Sequence, residues 1–329
     1  MIIAITGASG FLGGYSAPWL AARGHRIVAV TRAAGVAAAP GIEVRRLPPA
    51  AGEEEWAAVF AGCEAVIHLA GRAHVMRESA GDPLAAYREA NVETTRRALI
   101  GAALAGVGAF VYASSVKAMG EATTSPWNED APPAPVDPYG VSKLEAENLV
   151  REDGRRLALP TVSLRFPAMY GPGMRGNLLQ LFAAVARGIP LPLGGLENRR
   201  SLLFAGNAAA ALEVAARGCG RAGAVYFVSD GEDVSTPDLV RAIARALERP
   251  ARLLPVPPWL FRAAGRIGDG LASVLPCPIT STRVQRLMGS LQVDSTRFRR
   301  DLGFEPPYTL AEGMRATAQW FLMHAKEMR

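Results

Sequence analysis

The chain has little cysteine, little lysine and no long apolar run. Its three cysteines, Cys63, Cys219 and Cys277, lie far apart among 329 residues and form no CxxC pair. That argues against a disulfide framework or a zinc site, so no metal is expected, and it fits a reducing compartment. No stretch approaches the ~20 apolar residues that span a bilayer. The N-terminus lacks the basic leader of a secretory signal. A cytoplasmic location with no membrane span is therefore expected. Only Lys117, Lys143 and Lys326 stand against 33 arginines. The net charge is +6, but the arginines are scattered and no basic stripe interleaves with aromatics. No nucleic-acid partner is expected. A chain that is 50% hydrophobic and 20% charged is long enough for one or two globular domains.

What is present alternates. MIIAIT is a β-branched apolar run that reads as a buried parallel strand. A glycine-rich turn, GASGFLGG, and a helix from about Tyr15 to Arg23 follow. RIVAVTR, EVRRL, EAVIHLAG, GAFVYASS, LPTVSLRF and AVYFVSD read as further strands. Helices are expected around Glu53–Phe60, over a long segment from Pro83 to Ala105, and from Tyr139 to Arg151; 123–137 reads as a loop. This order predicts an α/β fold, a Rossmann-type doubly wound parallel sheet. The second half becomes mostly helical, with STPD a good helix start through Ser235 or Thr236. Residues 1–170, with about 204–232, are expected to form the dinucleotide-binding domain. Residues 171–203 and 233–329 form a smaller substrate-binding lobe. WLFRAAGRIGDGLASVL is amphipathic. With only Arg262 and Arg266 to supply charge, it reads as a lobe helix in preference to one lying on a membrane.

Gly7, Gly10 and Gly13 follow the first strand and open a helix, the context in which a GxxGxxG turn lets backbone approach a pyrophosphate. At the end of the second strand a carboxylate would bind a ribose 2′-hydroxyl, whereas arginine accommodates a 2′-phosphate. This chain has Arg32 there and no acid before Glu43, which leans towards NADP over NAD. Alternatively, Arg32 stacks on adenine with NAD bound. YGVSK places the rare Lys143 four residues after Tyr139, on the same helical face. A nearby ammonium makes a phenol easier to ionise. Ser114 and Ser115 end a strand and offer a hydroxyl for the same work. His68 lies inside an apolar strand and reads as structural, whereas His74 follows it and is placed to line a substrate pocket.

TGASGFLG, VIHLAG, YASS and YGVSK, in this order, resemble the extended short-chain dehydrogenase/reductase family, and within it the nucleotide-sugar 4-epimerases. The resemblance runs the whole length. It implies Ser115, Tyr139 and Lys143 as catalytic residues. It implies cofactor contacts from Gly7, Gly10, Phe11, Leu12, Gly13, Arg32, Leu69, Ala70, Gly71, Asn91, Lys143 and Pro167. For the substrate it implies His74, Ser115, Asn177, Leu178, Arg200 and Arg286, the two arginines on a diphosphate. Ala168 and Ser201 depart from the family pattern of Asn and Asp. The resemblance also implies a UDP-sugar substrate and a homodimer through paired helices. Three readings remain open: a UDP-hexose or UDP-N-acetylhexosamine 4-epimerase, for which NAD is expected; a 4-keto reductase in polysaccharide synthesis, using NADPH; and a non-catalytic dinucleotide sensor.

Overall fold

The N-terminal apolar run is buried on both faces: Ile3 and Ile5 enter one core and Ala4 the other. The structure, a computed structural model, describes residues 1–33, 38–73, 81–218, 221–272 and 280–324. His74, Cys219 and Cys277 lie outside the described residues. The strands are β1 (Ile2–Thr6), β2 (Arg26–Thr31), β3 (Ile42–Arg46), β4 (Ala65–His68) and β5 (Ala109–Ser115). They continue with β6 (Thr161–Phe166), β7 (Ala168–Tyr170), β8 (Arg200–Phe204), β9 (Ala224–Phe227) and β10 (Asp233–Val234). Seven form one parallel sheet in the order β3-β2-β1-β4-β5-β6-β9. The order reverses between β1 and β4, and ligands of such sheets bind at the strands' carboxyl ends beside that point.

The helices are α1 (Phe11–Ala21), α2 (Glu53–Phe60), α3 (Pro83–Arg88), α4 (Thr94–Leu104), α5 (Pro138–Arg156) and α6 (Asn177–Ala186). After them come α7 (Ala205–Gly218), α8 (Thr236–Ala246), α9 (Pro258–Ala272), α10 (Ser281–Met288), α11 (Thr296–Leu302) and α12 (Leu310–His324). Side chains of α1 and α7 cover one face of the sheet, and those of α2, α4 and α5 cover the other. A third core joins α6, α8 and α12 to a small sheet of β10, β8 and β7. Strands β7, β8 and β10 have no counterpart in the sequence reading; they pair in a separate small sheet, outside the strand–helix alternation that marks the large one. Ser235, not Thr236, caps α8 and accepts from the Asp238 amide at 3.1 Å.

The long helix expected over Pro83–Ala105 is interrupted. Residues Glu89–Glu93 form one π-turn between α3 and α4, with Asn91 and Val92 buried. Such turns insert an extra residue and re-aim a side chain, often at functional sites. Helix α5 is longer than its motif suggests, and Asp137 caps it through the Gly140 amide at 2.7 Å.

Beneath α5 lies a buried ion pair. Arg165 of β6 donates from Nη2 to Glu147 Oε2 at 2.7 Å and from Nε to Oε1 at 3.0 Å. Ser114 donates to the same carboxylate. Removing one member of such a pair leaves an uncompensated charge, at about 3–5 kcal/mol, whereas an apolar replacement of both is near neutral. Glu147→Ala is therefore expected to lose about that much stability, and Glu147→Leu/Arg165→Met far less. Urea unfolding midpoints check this; equal losses in the two variants would refute it.

Candidate active site

The glycine turn brings β1 and α1 close enough that side chains are excluded. A Cβ on Gly13 would overlap the Gly7 carbonyl oxygen. Gly10 caps α1 without any side-chain hydrogen bond, so the first-turn amides, those of Phe11 and Leu12 among them, remain for an anion. The Leu12 side chain packs into the sheet core and Phe11 against the third core, so their part in anion binding falls to the backbone. A crevice of about 310 Å³ opens here, lined by Gly7, Gly10, Arg32, Leu69, Ala70 and Gly71, all named from sequence. Leu47 and Trp56, which no motif marks, and Thr94, of the NVETT segment that begins at Asn91, also line it. Arg32 is exposed at the rim. Close glycine packing, unused amides and an arginine suit the phosphates of a dinucleotide.

The β1 and β4 ends are fastened by Thr6, which the sequence reading missed. Its Oγ accepts from the Leu69 amide at 3.1 Å and the Ala70 amide at 3.0 Å. It also meets His68 Nδ1 at 3.0 Å. His68 Nε2 meets Thr95 Oγ at 3.2 Å, and Thr95 gives its own proton to the Asn91 carbonyl at 2.6 Å. The directions close one way, with Nε2 protonated and Nδ1 accepting. Burial, helped by the Lys143 charge, pushes His68 down to about 3. It is a neutral, fully bonded structural histidine, as its apolar strand implied.

Asn91 takes a bracing position behind the crevice. Its Nδ2 donates to Ser142 Oγ at 3.0 Å and to the Arg72 carbonyl at 3.1 Å, so both amide protons are committed to the protein. Its Oδ1 accepts from the Arg72 amide at 2.7 Å. Ser142 in turn donates to the Tyr139 carbonyl at 2.8 Å. The side chain expected to meet the cofactor thus ties the loop after β4 to α5.

At the mouth of α5, Tyr139 lies beside Ser115. Gly140 permits that approach: a Cβ there would overlap the Lys117 carbonyl in the short 3-10 turn after Ser115. Burial pushes the Tyr139 phenol up to about 12, opposed by the Ser115 hydrogen bond. Asp137 and Tyr87 raise it further, so the shift runs opposite to the easing of ionisation expected from Lys143. Lys143 Nζ points instead to the β5 backbone, donating to the Ala113 carbonyl at 2.6 Å, and lies 4.2 Å from the Tyr112 ring centroid. Its own burial brings the ammonium down to about 7, with Glu147 pulling the other way. Pro167 is buried between β6 and β7.

The substrate candidates are less gathered. Arg200 Nη2 donates to the carbonyls of Arg286, Leu287 and Gly289 at the end of α10, the last two at 3.2 and 3.1 Å. Helix ends concentrate carbonyl charge, which explains the capture. Burial lowers the Arg200 pKa. The Arg286 guanidinium pairs with Glu121 at 3.3 Å, and Glu121 with Lys117 at 2.6 Å. Arg200 and Arg286 are therefore neighbours, but both are engaged. Asn177 is exposed at the start of α6, and Leu178 packs on the third core.

Two outcomes follow from this geometry. An ordinary lysine titrates at 10.5 when unfolded, and Lys143 at about 7 when folded. Between those values the unfolded chain holds the extra proton, so stability rises with pH there. The penalty is complete below about 7. Lys143→Met removes it, so the variant's stability relative to wild type should be highest near pH 6 and fall towards pH 9.5, measured by urea unfolding. A pH-independent difference refutes the buried charge. Gly140→Ala, normally worth about 1 kcal/mol in favour of a helix, should instead destabilise the protein and cut turnover by prising Tyr139 from Ser115. Unchanged melting and turnover would refute that.

The comparisons bear on the family. The model of the NAD dependent epimerase/dehydratase family matches residues 3–228. A UDP-glucose 4-epimerase of Vibrio cholerae is 38% identical over 260 residues, covering 78% of this chain and 76% of that protein. The N-acetyl-alpha-D-glucosaminyl-diphospho-ditrans,octacis-undecaprenol 4-epimerase of Escherichia coli O157:H7 is 29% identical over 253 residues, 74% of this chain and 75% of its own. The solved structure of MoeE5 in complex with UDP-glucose and NAD superposes with a TM-score of 0.74 at 25% identity, covering 99% of this chain and 100% of that one. With two thirds of its length matched by the family and a relative this similar, the chain belongs to the NAD dependent epimerase/dehydratase family, of the extended short-chain dehydrogenase/reductase type.

Proposed function

We propose that the protein is a nucleotide-sugar 4-epimerase acting on a UDP-hexose or UDP-N-acetylhexosamine through a transient 4-keto sugar. The observation that carries this is the close approach of α5 to the turn after Ser115, permitted by Gly140, which sets Tyr139 beside Ser115 with Lys143 buried a turn further along the helix and α5 braced through Asn91 to the glycine-turn crevice. Similarity to the Vibrio cholerae UDP-glucose 4-epimerase supports the substrate class. Tyr139 exchanges a proton with the sugar 4-hydroxyl, and Ser115 hydrogen-bonds the same oxygen and shares the proton. Lys143 contributes a positive charge below the pair. NAD, when bound, supplies a cationic ring and the place where the C4 hydrogen is taken up and returned. Gly7, Gly10, Gly13 and the first-turn amides of α1 would hold its pyrophosphate, and Leu69, Ala70 and Gly71 its flank. Between the two transfers the sugar turns over while the diphosphate stays held, the work assigned to Arg200, Arg286 and Asn177.

Arg32 at the crevice rim favours one further reading, a 4-keto reductase using NADPH, because an arginine there accommodates a 2′-phosphate. The Escherichia coli relative adds a choice of carrier: the sugar diphosphate of this enzyme is either a nucleotide or a polyprenol derivative.

The nucleotide released on denaturing the purified protein separates the readings. Bound NAD with interconversion of UDP-glucose and UDP-galactose, or of their N-acetylated forms, supports the epimerase. NADPH consumed one-for-one with a 4-keto sugar replaces it by the reductase. Tyr139→Phe is expected to lower kcat about 10²–10⁴-fold while retaining the nucleotide; undiminished turnover removes Tyr139 from the mechanism.

A further inference from the structure

The amphipathic stretch read as a lobe helix is α9, and its two faces are sharply different. Gly265 and Gly268 are buried. Gly265 sits so close to α10 that a Cβ would come 3.0 Å from Ser281 Cα. The opposite face is open: Trp259 is 62%, Leu260 41% and Ile267 65% exposed. Trp259, Ala263 and Ile267 succeed one another at four-residue steps, with Leu260 beside them, and Arg262 and Arg266 form a parallel row. Isolated exposed apolar residues need no explanation, but an aligned row beside unneutralised arginines does. Neither arginine pairs with a carboxylate among the described residues, and the nearby Asp269 accepts from the Ser281 amide at 3.0 Å.

Arg262 and Arg266 also overhang a crevice of about 370 Å³ between α9 and α10, walled by Val284, Gln285 and Met288 and closed by Gly289. It therefore joins two cations to an apolar floor, and its closing carbonyl is one that Arg200 holds.

We propose that α9 is an interfacial docking helix for an anionic bilayer surface. Trp259, Leu260 and Ile267 enter the boundary between headgroups and acyl chains, and Arg262 and Arg266 take lipid phosphates. Three features favour a bilayer over a protein. The three side chains expose together roughly 350 Å², well under the ~800 Å² per partner of a standard protein interface. An indole with flanking arginines is the side-chain pairing that water–membrane boundaries select. And a helix of 15 residues, about 22 Å long, is too short to span a bilayer but suited to lie on one. Docking is independent of which sugar is turned over. Its consequence for substrate does rest on the function proposed above: a diphosphosugar on a lipid carrier would meet Arg200 from the side that faces the membrane.

The test is flotation of the full chain with vesicles, which reads binding without using turnover. Wild type should float with phosphatidylcholine/phosphatidylglycerol vesicles, less so at high salt, and not with phosphatidylcholine alone. Each of Arg262→Gln and Arg266→Gln should weaken partitioning about fivefold. Trp259→Glu with Ile267→Glu should weaken it at least about tenfold. That double variant should keep its circular dichroism and its turnover of a water-soluble UDP-sugar. Leu322→Glu with Met323→Glu, exposed apolar positions on α12, should float as wild type does. The proposal is overturned if anionic vesicles do not carry the protein, if neutral vesicles carry it equally well, or if the α9 variants float undiminished. It is also overturned if wild type is an oligomer that the α9 variants dissociate, which would make this face a protein interface.

Discussion

A buried ammonium organises the junction of α5 with the sheet. Lys143 is 7% exposed and has exchanged water for the Ala113 carbonyl and the face of Tyr112. Those neutral partners replace hydration only in part, which is why its proton is held so loosely. The nearest formal countercharge is Glu147, one turn along α5, and it is itself neutralised by Arg165. Ser114 spends its hydroxyl on that carboxylate, which explains why only the second serine of YASS remains for Tyr139. An apolar set of the same volume would hold α5 to the sheet at least as firmly. What it would not do is hold a cation in the helix that carries Tyr139, as the proposed mechanism requires.

A continuous line of hydrogen bonds joins the two halves of the site. It starts at the Leu69 and Ala70 amides on the crevice wall and passes through Thr6, His68 and Thr95 to the Asn91 carbonyl. From the Asn91 amide it continues to Ser142 and the Tyr139 carbonyl. Every donor in the line has one acceptor available to it, and the neutral state of His68 keeps those directions fixed over the working pH range. The π-turn makes the junction possible: without the extra residue, Asn91 would face elsewhere on a regular helix. The loop that flanks the glycine-turn crevice and the Tyr139 backbone are therefore held in one frame.

The alternation of apolar runs with helical segments made the parallel sheet legible, because strands buried on both faces leave an unmistakable β-branched pattern. The glycine turn and YGVSK were legible for a different reason: each compresses a steric requirement into a few letters. Gly140 shows how much such a motif carries, since it is the residue that lets α5 reach the turn after Ser115. The rest was hidden because it depends on partners distant in sequence. Thr6 and His68 are 62 residues apart, and Arg200 and Gly289 are 89. The same separation explains the two expectations that shifted. Arg200, expected on a diphosphate, also holds the end of α10; Tyr139, read as activated by its lysine, is governed first by burial.

The engagement of Arg200 bears on how a sugar could turn while its diphosphate stays still. A guanidinium on a loose side chain would follow its ligand. Here one nitrogen is fixed by carbonyls at the end of α10, and the backbone on both sides is fixed as well: the Ser201 amide donates to the Leu291 carbonyl, and the Leu291 amide to that of Arg199. The nitrogens that remain belong to an anchored side chain, the arrangement a fixed grip requires. Helix α10 is in turn locked to α9 through Gly265. Contacts thus run from Arg200 through α10 to α9, and in the proposed docked state they link the surface under Trp259 to the cation assigned to the diphosphate. A lipid-borne diphosphate would then arrive at a height above the bilayer set by the protein's packing, with the hexose left free to rotate towards Ser115 and Tyr139.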